Sequence, residues 1–374
     1  MPANNPGKEN FKKCIAAKGL LSDIYDKVIA GERITLEEGL ALYEKAGLSF
    51  LGILSDYKKR QYTGDKVFYN RNFHIEPTNC CIYNCRFCSY NSKNSGVSWD
   101  YTHDEMVSKI KNLGSNITEI HIVGAVHPSR GKEYYGALLR LIRAIHPSIH
   151  LKAFTAIELS HMAKVGNESV SSVLRYLQEC GLNSIPGGGA EIFDEKVRQE
   201  ICPEKDDAAT WLKIHKTAHH LGIPSNATML YGHIETYQHR ISHMSLLRDL
   251  QESTGGFNAF IPLKFKNKHN RMQHIPETTL LEDLRNFAVS RIFLDNIPHI
   301  KAYWPMMGIA PAQLSLCYGV DDIDGTIHDS TKIYTLAGSS EQQPEMTATQ
   351  LTLLIEEAGY VPVERDSLYK PITG

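Results

Sequence analysis

Three cysteines, Cys81, Cys85 and Cys88, stand in a C-x3-C-x2-C pattern inside the segment HIEPTNCCIYNCRFCSY, residues 74–90. Three thiolates at this spacing can hold three irons of a cubane iron–sulfur cluster and leave the fourth iron open. An open iron is what redox chemistry on a bound ligand requires. The competing use is a structural zinc site, which wants four ligands in a closed tetrahedron, commonly as two Cys or His pairs. The chain offers no second C-x2-C pair, and Cys80 adjoins Cys81, so both thiolates would struggle to reach one metal. Zinc is therefore the weaker reading.

The remaining cysteines, Cys14, Cys180, Cys202 and Cys317, are scattered singly and read as small buried hydrophobes or inert thiols. A tight cluster in an otherwise unpaired set suits a reducing compartment better than a disulfide framework. A net charge of −2 gives no global basic field for nucleic acid or an anionic membrane. The leader MPANNPGKENFKKC lacks the apolar core of a signal peptide. No later run reaches the roughly 20 apolar residues that cross a bilayer. A soluble, cytoplasmic protein working on small molecules is expected.

The elements that must position the cysteines follow a rhythm. A helical, peripheral extension over residues 1–65 includes a capping box at Thr35 and Glu38, with Leu36, Leu40 and Tyr43 on the helix behind it. From there short β-rich segments alternate with helix-period stretches. Strands are predicted near 72–78, 118–123, 150–156, 182–185, 225–230, 258–262, 299–304 and 315–320. Thr102 and Glu105 form another box before Met106, Val107, Ile110 and Leu113. Apolar stripes run through Val170, Val173, Leu174 and Leu177, and through Leu281, Leu284, Phe287 and Ala288. Eight such units predict an α/β fold, a (β/α)8 TIM-type barrel over 66–330, with a C-terminal extension over 331–374. That extension carries one helix (Leu351, Leu354, Ile355) and an irregular end over 362–371. An open doubly wound sheet is the competitor, weakened because no Gly-rich dinucleotide fingerprint follows the first strand.

The three-cysteine pattern, with the aromatic Phe87 before its last cysteine, resembles the radical S-adenosylmethionine (SAM) superfamily. The resemblance implies a [4Fe-4S] cluster whose open iron binds SAM, a 5′-deoxyadenosyl radical made by reductive cleavage, and Phe87 near the adenine. It also implies an external electron donor such as flavodoxin or ferredoxin. Further along, HIVGAVHP (121–128), KAFTAIEL (152–159), IPGGGAEIF (185–193), TMLYGHIET (228–236) and GVDDIDGTIH (319–328) resemble the aminofutalosine synthase family of the futalosine route to menaquinone. Neighbouring families, the cyclic dehypoxanthinylfutalosine synthases and deazaflavin-cofactor synthases, share several of these segments. The implied reaction adds the adenosyl radical to the vinyl ether of 3-[(1-carboxyvinyl)oxy]benzoate, with aryl migration and loss of a carboxyl group, giving 6-amino-6-deoxyfutalosine. Such an enzyme is a transferase that consumes SAM as co-substrate. A cyclising, hydrogen-abstracting relative is the alternative. One departure is Ala125, where the family usually has the second of two glycines.

A substrate with two carboxylates and a ring needs donors against an apolar wall, and strand ends face the mouth of a barrel. The resulting candidates are His127 after the second strand, Thr155 and Glu158 after the third, and Gly187, Gly188, Gly189 and Glu191 after the fourth. Tyr231 and His233 follow the fifth strand, and Asp321, Asp322 and Asp324 the eighth. The glycines could present N–H groups to the SAM carboxylate, with Thr155, Glu158, Glu191 and Phe87 completing the cofactor site. His127, His233 and Glu158 are the catalytic candidates. Arg291, inside a helical stripe, reads as structural, and the aspartates as hydrogen-bond acceptors rather than metal ligands.

Overall fold

In the computed structural model, which describes residues 19–111, 113–114, 116–327, 332–340 and 344–372, three helices come first. The leader over residues 1–18, with Cys14, lies outside the described residues, as does His328. The three are α1 (Leu20–Ala30), α2 (Leu36–Lys45) and α3 (Leu48–Thr63). α2 starts where its spacing predicts, because the Thr35 hydroxyl accepts from the Glu38 N–H and the Glu38 carboxylate accepts from the Thr35 N–H at 2.8 Å.

The first stave of the sheet is bent. β1 (Lys66–Asn70) breaks at Arg71 and resumes as β2 (Asn72–Ile75). β2 pairs in parallel with β3 (Glu119–Ile122), and β3 with β4 (His150–Ala153). A second parallel sheet joins β5 (Ser225–Tyr231), β6 (Phe257–Lys264) and β7 (His299–Ile300). β8 (Asp322–Gly325) pairs with β1. Single bridges stitch these pieces together: Lys152 with Ser184, Ile185 with Ser225, and Lys301 with Asp322, all parallel. The fourth stave is thus two residues long. With the Thr326 N–H donating to the Asn70 carbonyl at 3.1 Å, parallel staves follow one another in chain order round a closed ring. The closed barrel prevails over the open sheet.

Helices cover the ring. They are α4 (Ser92–Ser95), α5 (His103–Ile110), α6 (Lys132–Ile145), α7 (Ala156–Gly166), α8 (Val170–Glu179), α9 (Glu195–Ile201) and α10 (Ala208–His220). Then come α11 (Tyr237–Thr254), α12 (Leu280–Phe293), α13 (Trp304–Met307), α14 (Ile309–Ser315), α15 (Lys332–Leu336) and α16 (Ala348–Glu357). α5 opens on the Thr102–Glu105 box. The stripes on α8 and α12 are buried at Val173, Leu174, Leu177, Leu284, Phe287 and Ala288, although Leu281 is 62% exposed.

Two predicted features change. The apolar run at 315–320 is not the eighth strand: it finishes α14 and makes a single 3-10 turn that Gly319 stops at φ 89°. The strand is the acidic segment that follows, so Asp322 and Asp324 lie within β8 rather than after it. Each acid there meets a buried cation. Arg291 holds Asp321 at 2.6 Å, Arg365 holds Asp322, and Lys301 holds Asp324 at 2.9 Å. The tail is not wholly irregular either. β9 (Val361–Glu364) pairs in parallel with the free edge of β1 and brings Arg365 to Asp322.

Candidate active site

The loop after β2 carries the cysteines, and polar side chains fix its shape. Asn79 donates to the carbonyls of Tyr90 (3.1 Å) and Val97 (2.9 Å), and Asn91 donates to that of Tyr83 (2.6 Å). Backbone bonds tie the Ile82 N–H to the Val126 carbonyl at 2.9 Å and the Arg86 N–H to the Ile201 carbonyl at 2.8 Å. Cys81, Cys85 and Cys88 together line a cavity of about 120 Å³, with Phe87, Gly124, Ala125, Thr155, Gly189 and Lys205 among its walls. Cys80 is not on it; its Sγ lies by the Ser98 hydroxyl and the Trp99 carbonyl.

This cavity adjoins a larger one of about 280 Å³ that runs into the barrel. The two share Cys88, Tyr90, Thr155, Gly189 and Lys205. Gly188 and Glu191 line the larger one. Gly187 sits behind it with φ +92°, where a Cβ would stand 2.1 Å from the Asn226 carbonyl oxygen. Only glycine allows that approach.

Glu191 is held in the left-handed region at φ 48°, and its carboxylate takes the Lys205 ammonium at 2.6 Å. Such strain persists where the surroundings over-determine it. Lys205 is the residue that strand-end reasoning missed. It lines both cavities, and the charges of Cys85 and Glu191 push its pKa well above the usual lysine range despite burial. Burial pushes the Cys85 and Cys88 thiols up.

Thr155 caps α7, and Glu158 closes the box, accepting from the Thr155 N–H at 2.7 Å and the Thr155 hydroxyl at 2.8 Å. The nearby Gly124 N–H also favours the charged form of the Glu158 carboxyl. Burial raises its pKa to about 7. His127 faces Asp100 at 3.4 Å and accepts from the Ser129 N–H. His233 is buried, donates to the Leu230 carbonyl at 3.2 Å and lies 3.2 Å from Glu235. Tyr231 donates to Asp283 at 2.9 Å. None of these three lines either cavity.

Most of the inner wall was also missed, Asp324 alone of it having stood among the candidates. His74, Glu119, His121, Lys152, Lys301 and Asp324 line the larger cavity from within the staves or beside them. A signal was present: polar residues alternate with apolar ones in Phe73–His74–Ile75–Glu76 and Glu119–Ile120–His121–Ile122.

A closed parallel barrel with three cysteines on the loop after its first stave defines the class of the radical SAM enzymes. The family model described as the radical SAM superfamily matches residues 75–247, and that of the CofH/MqnC C-terminal region matches residues 254–373. The aminodeoxyfutalosine synthase of Thermus thermophilus is 42% identical over 358 residues, covering 94% of this chain and 96% of its own. That of Streptomyces coelicolor is 41% identical, covering 94% of each. The cyclic dehypoxanthine futalosine synthase of Streptomyces coelicolor is 36% identical over 94% of this chain and 89% of its own. The chain belongs to the aminodeoxyfutalosine synthase family of radical SAM enzymes. Among solved structures, methylornithine synthase superposes with a TM-score of 0.72 at 17% identity, over 91% of this chain and 97% of that one, which shows the fold.

The family implies a [4Fe-4S] cluster and SAM, and the donor set fits. Three sulfur atoms line one cavity beside an ammonium that balances thiolate charge. Among the described residues, no helix is long and apolar enough to cross a membrane.

Proposed function

We propose that the protein is an aminodeoxyfutalosine synthase. It joins the adenosyl group of SAM to 3-[(1-carboxyvinyl)oxy]benzoate, with rearrangement and loss of a carboxyl group, to give 6-amino-6-deoxyfutalosine for menaquinone. The observation that carries this reading is the 42% and 41% identity to two enzymes of that name over nearly the whole chain. In this reading residues 66–330 are the catalytic barrel, with extensions over 1–65 and 331–374.

Cys81, Cys85 and Cys88 would hold the cluster as thiolates. When bound, the cluster and SAM supply a 5′-deoxyadenosyl radical. Phe87, Thr155, Gly188, Gly189 and Glu191 bind SAM where the two cavities meet, with Gly187 shaping the turn. Glu158 caps α7 with Thr155 and so fixes the start of that helix, where Thr155 lines both cavities. Lys205 holds Glu191 and offsets thiolate charge. His127 and His233 order the loops after β3 and β5 as positioning residues. The barrel excludes water from the reacting centre. A flavodoxin or ferredoxin supplies the electron in the reducing cytoplasm, and neither nucleic acid nor membrane is a partner.

Anaerobic incubation with SAM, reductant and the enolpyruvyl benzoate tests the reading by mass spectrometry. A covalent adenosyl–substrate product is expected. Free 5′-deoxyadenosine as the sole adenosyl product would overturn it in favour of hydrogen abstraction. Serine at Cys81, Cys85 or Cys88 should abolish iron binding, and serine at Cys80 should spare it.

A further inference from the structure

The inner wall of the larger cavity has polar groups that no fold contact uses. His121 lines it, and its Nε2 is buried with no hydrogen-bond partner among the described residues. Leaving a buried polar atom unpaired costs about 1–3 kcal/mol, so such an atom calls for an explanation. Its ring lies beside that of His74, with centroids 4.7 Å apart. Lys152 and Lys301 line the same wall. Their ammonium groups make one hydrogen bond each among the described residues, to Glu119 at 2.6 Å and to Asp324 at 2.9 Å. An ammonium carries three donors, so each keeps N–H groups for a ligand. The paired carboxylates hold the two ammonium groups in place.

These four residues line the larger cavity and not the cysteine cavity. They therefore stand outside the pocket in which all three cysteines meet, although Cys88 borders both cavities. A substrate whose vinyl group must meet the adenosyl group at the junction would direct its most distant group toward this wall. In an enolpyruvyl benzoate that group is the carboxylate on the ring. We propose that His74, His121, Lys152 and Lys301 form an aryl-carboxylate subsite that receives the ring carboxylate and aims the vinyl ether at the cysteine loop. This assignment rests on the proposed function.

The test uses the reconstituted holoenzyme with SAM and two probes, 3-methoxybenzoate and its neutral amide, 3-methoxybenzamide, titrated calorimetrically. Wild type should bind the acid about tenfold or more tightly than the amide. His121→Leu removes an atom that the fold leaves unpaired, so its melting temperature should hold or rise while acid affinity falls about tenfold. The double variant Lys152→Met/Glu119→Gln removes both charges of one pair and leaves no buried ion stranded. It too should weaken the acid about tenfold and leave the amide unchanged. Equal binding of acid and amide by wild type, or acid binding by both variants at wild-type strength, would overturn the subsite. Turnover of the enolpyruvyl benzoate is scored separately. If wild type forms no adenosylated product while the probe pattern holds, the reaction reading fails and the anion subsite stands.

Discussion

Lys205 couples two features that the chain keeps apart, the cysteine loop and the strained Glu191. Its ammonium pairs with a carboxylate whose side chain is only 9% exposed. Removing one partner of a buried pair strands the other charge. Lys205→Met should therefore cost about 3 kcal/mol in urea unfolding under anaerobic conditions, and adding Glu191→Gln should restore much of it. Glu158 gives a pH signature. Its pKa in the fold is raised to about 7 from 4.5, so the unfolded chain releases the proton first as pH rises. Stability from this group is fully present below pH 4.5 and is lost as pH climbs through 7. Glu158→Gln should flatten the urea midpoint across that window, removing a slope of about 3 kcal/mol in total. At this scale the grouping of Cys81, Cys85 and Cys88 around one cavity was legible because their spacing is local. Lys205 was not, since α9 separates it from Glu191 along the chain and it meets the cysteine cavity only in the fold. His74 and His121 were hidden by attention to strand ends, although strand alternation marked both.

At the scale of elements, helices with a capping box and a stripe were readable because both signals sit within a few residues. The eighth stave was not. Its run of acids reads as a loop, and it becomes a strand because Arg291, Lys301 and Arg365, from three separate parts of the chain, meet the acids in the interior. The fourth stave falls inside the strand predicted at 182–185, although only Ser184 and Ile185 bridge to its neighbours. The turn after it depends on backbone approach. Gly187→Ala would set a Cβ 2.1 Å from a carbonyl oxygen at φ +92°, whereas Gly31→Ala at φ +78° meets nothing within 4 Å. Melting curves should show the first costing about 3 kcal/mol or more and the second about 1 kcal/mol. Equal losses would mean that φ alone matters and close packing does not.

Across the whole molecule, the barrel is closed by pieces from both ends of the described chain. Arg365 follows β9 and is fully buried against Asp322 of β8. Arg365→Met should lower stability by about 3 kcal/mol in thermal or urea melts, and Asp322→Asn in the same chain should recover part of that loss. The barrel class was legible from the alternation of elements, but its closure was not. Pairing of β1 with both β8 and β9 joins residues that no local pattern relates. That pairing has a consequence for synthesis. The stave bearing the cysteine loop is made early, and the two strands that flank β1 are made after every other strand. The residues that enclose Cys85, namely its own loop, Gly124–Val126, Thr155, Ile157, Gly189 and Lys205, are all made before those two strands. Walling of the cysteine cavity and shutting of the ring thus draw on different stretches of chain, which makes them separable steps of maturation.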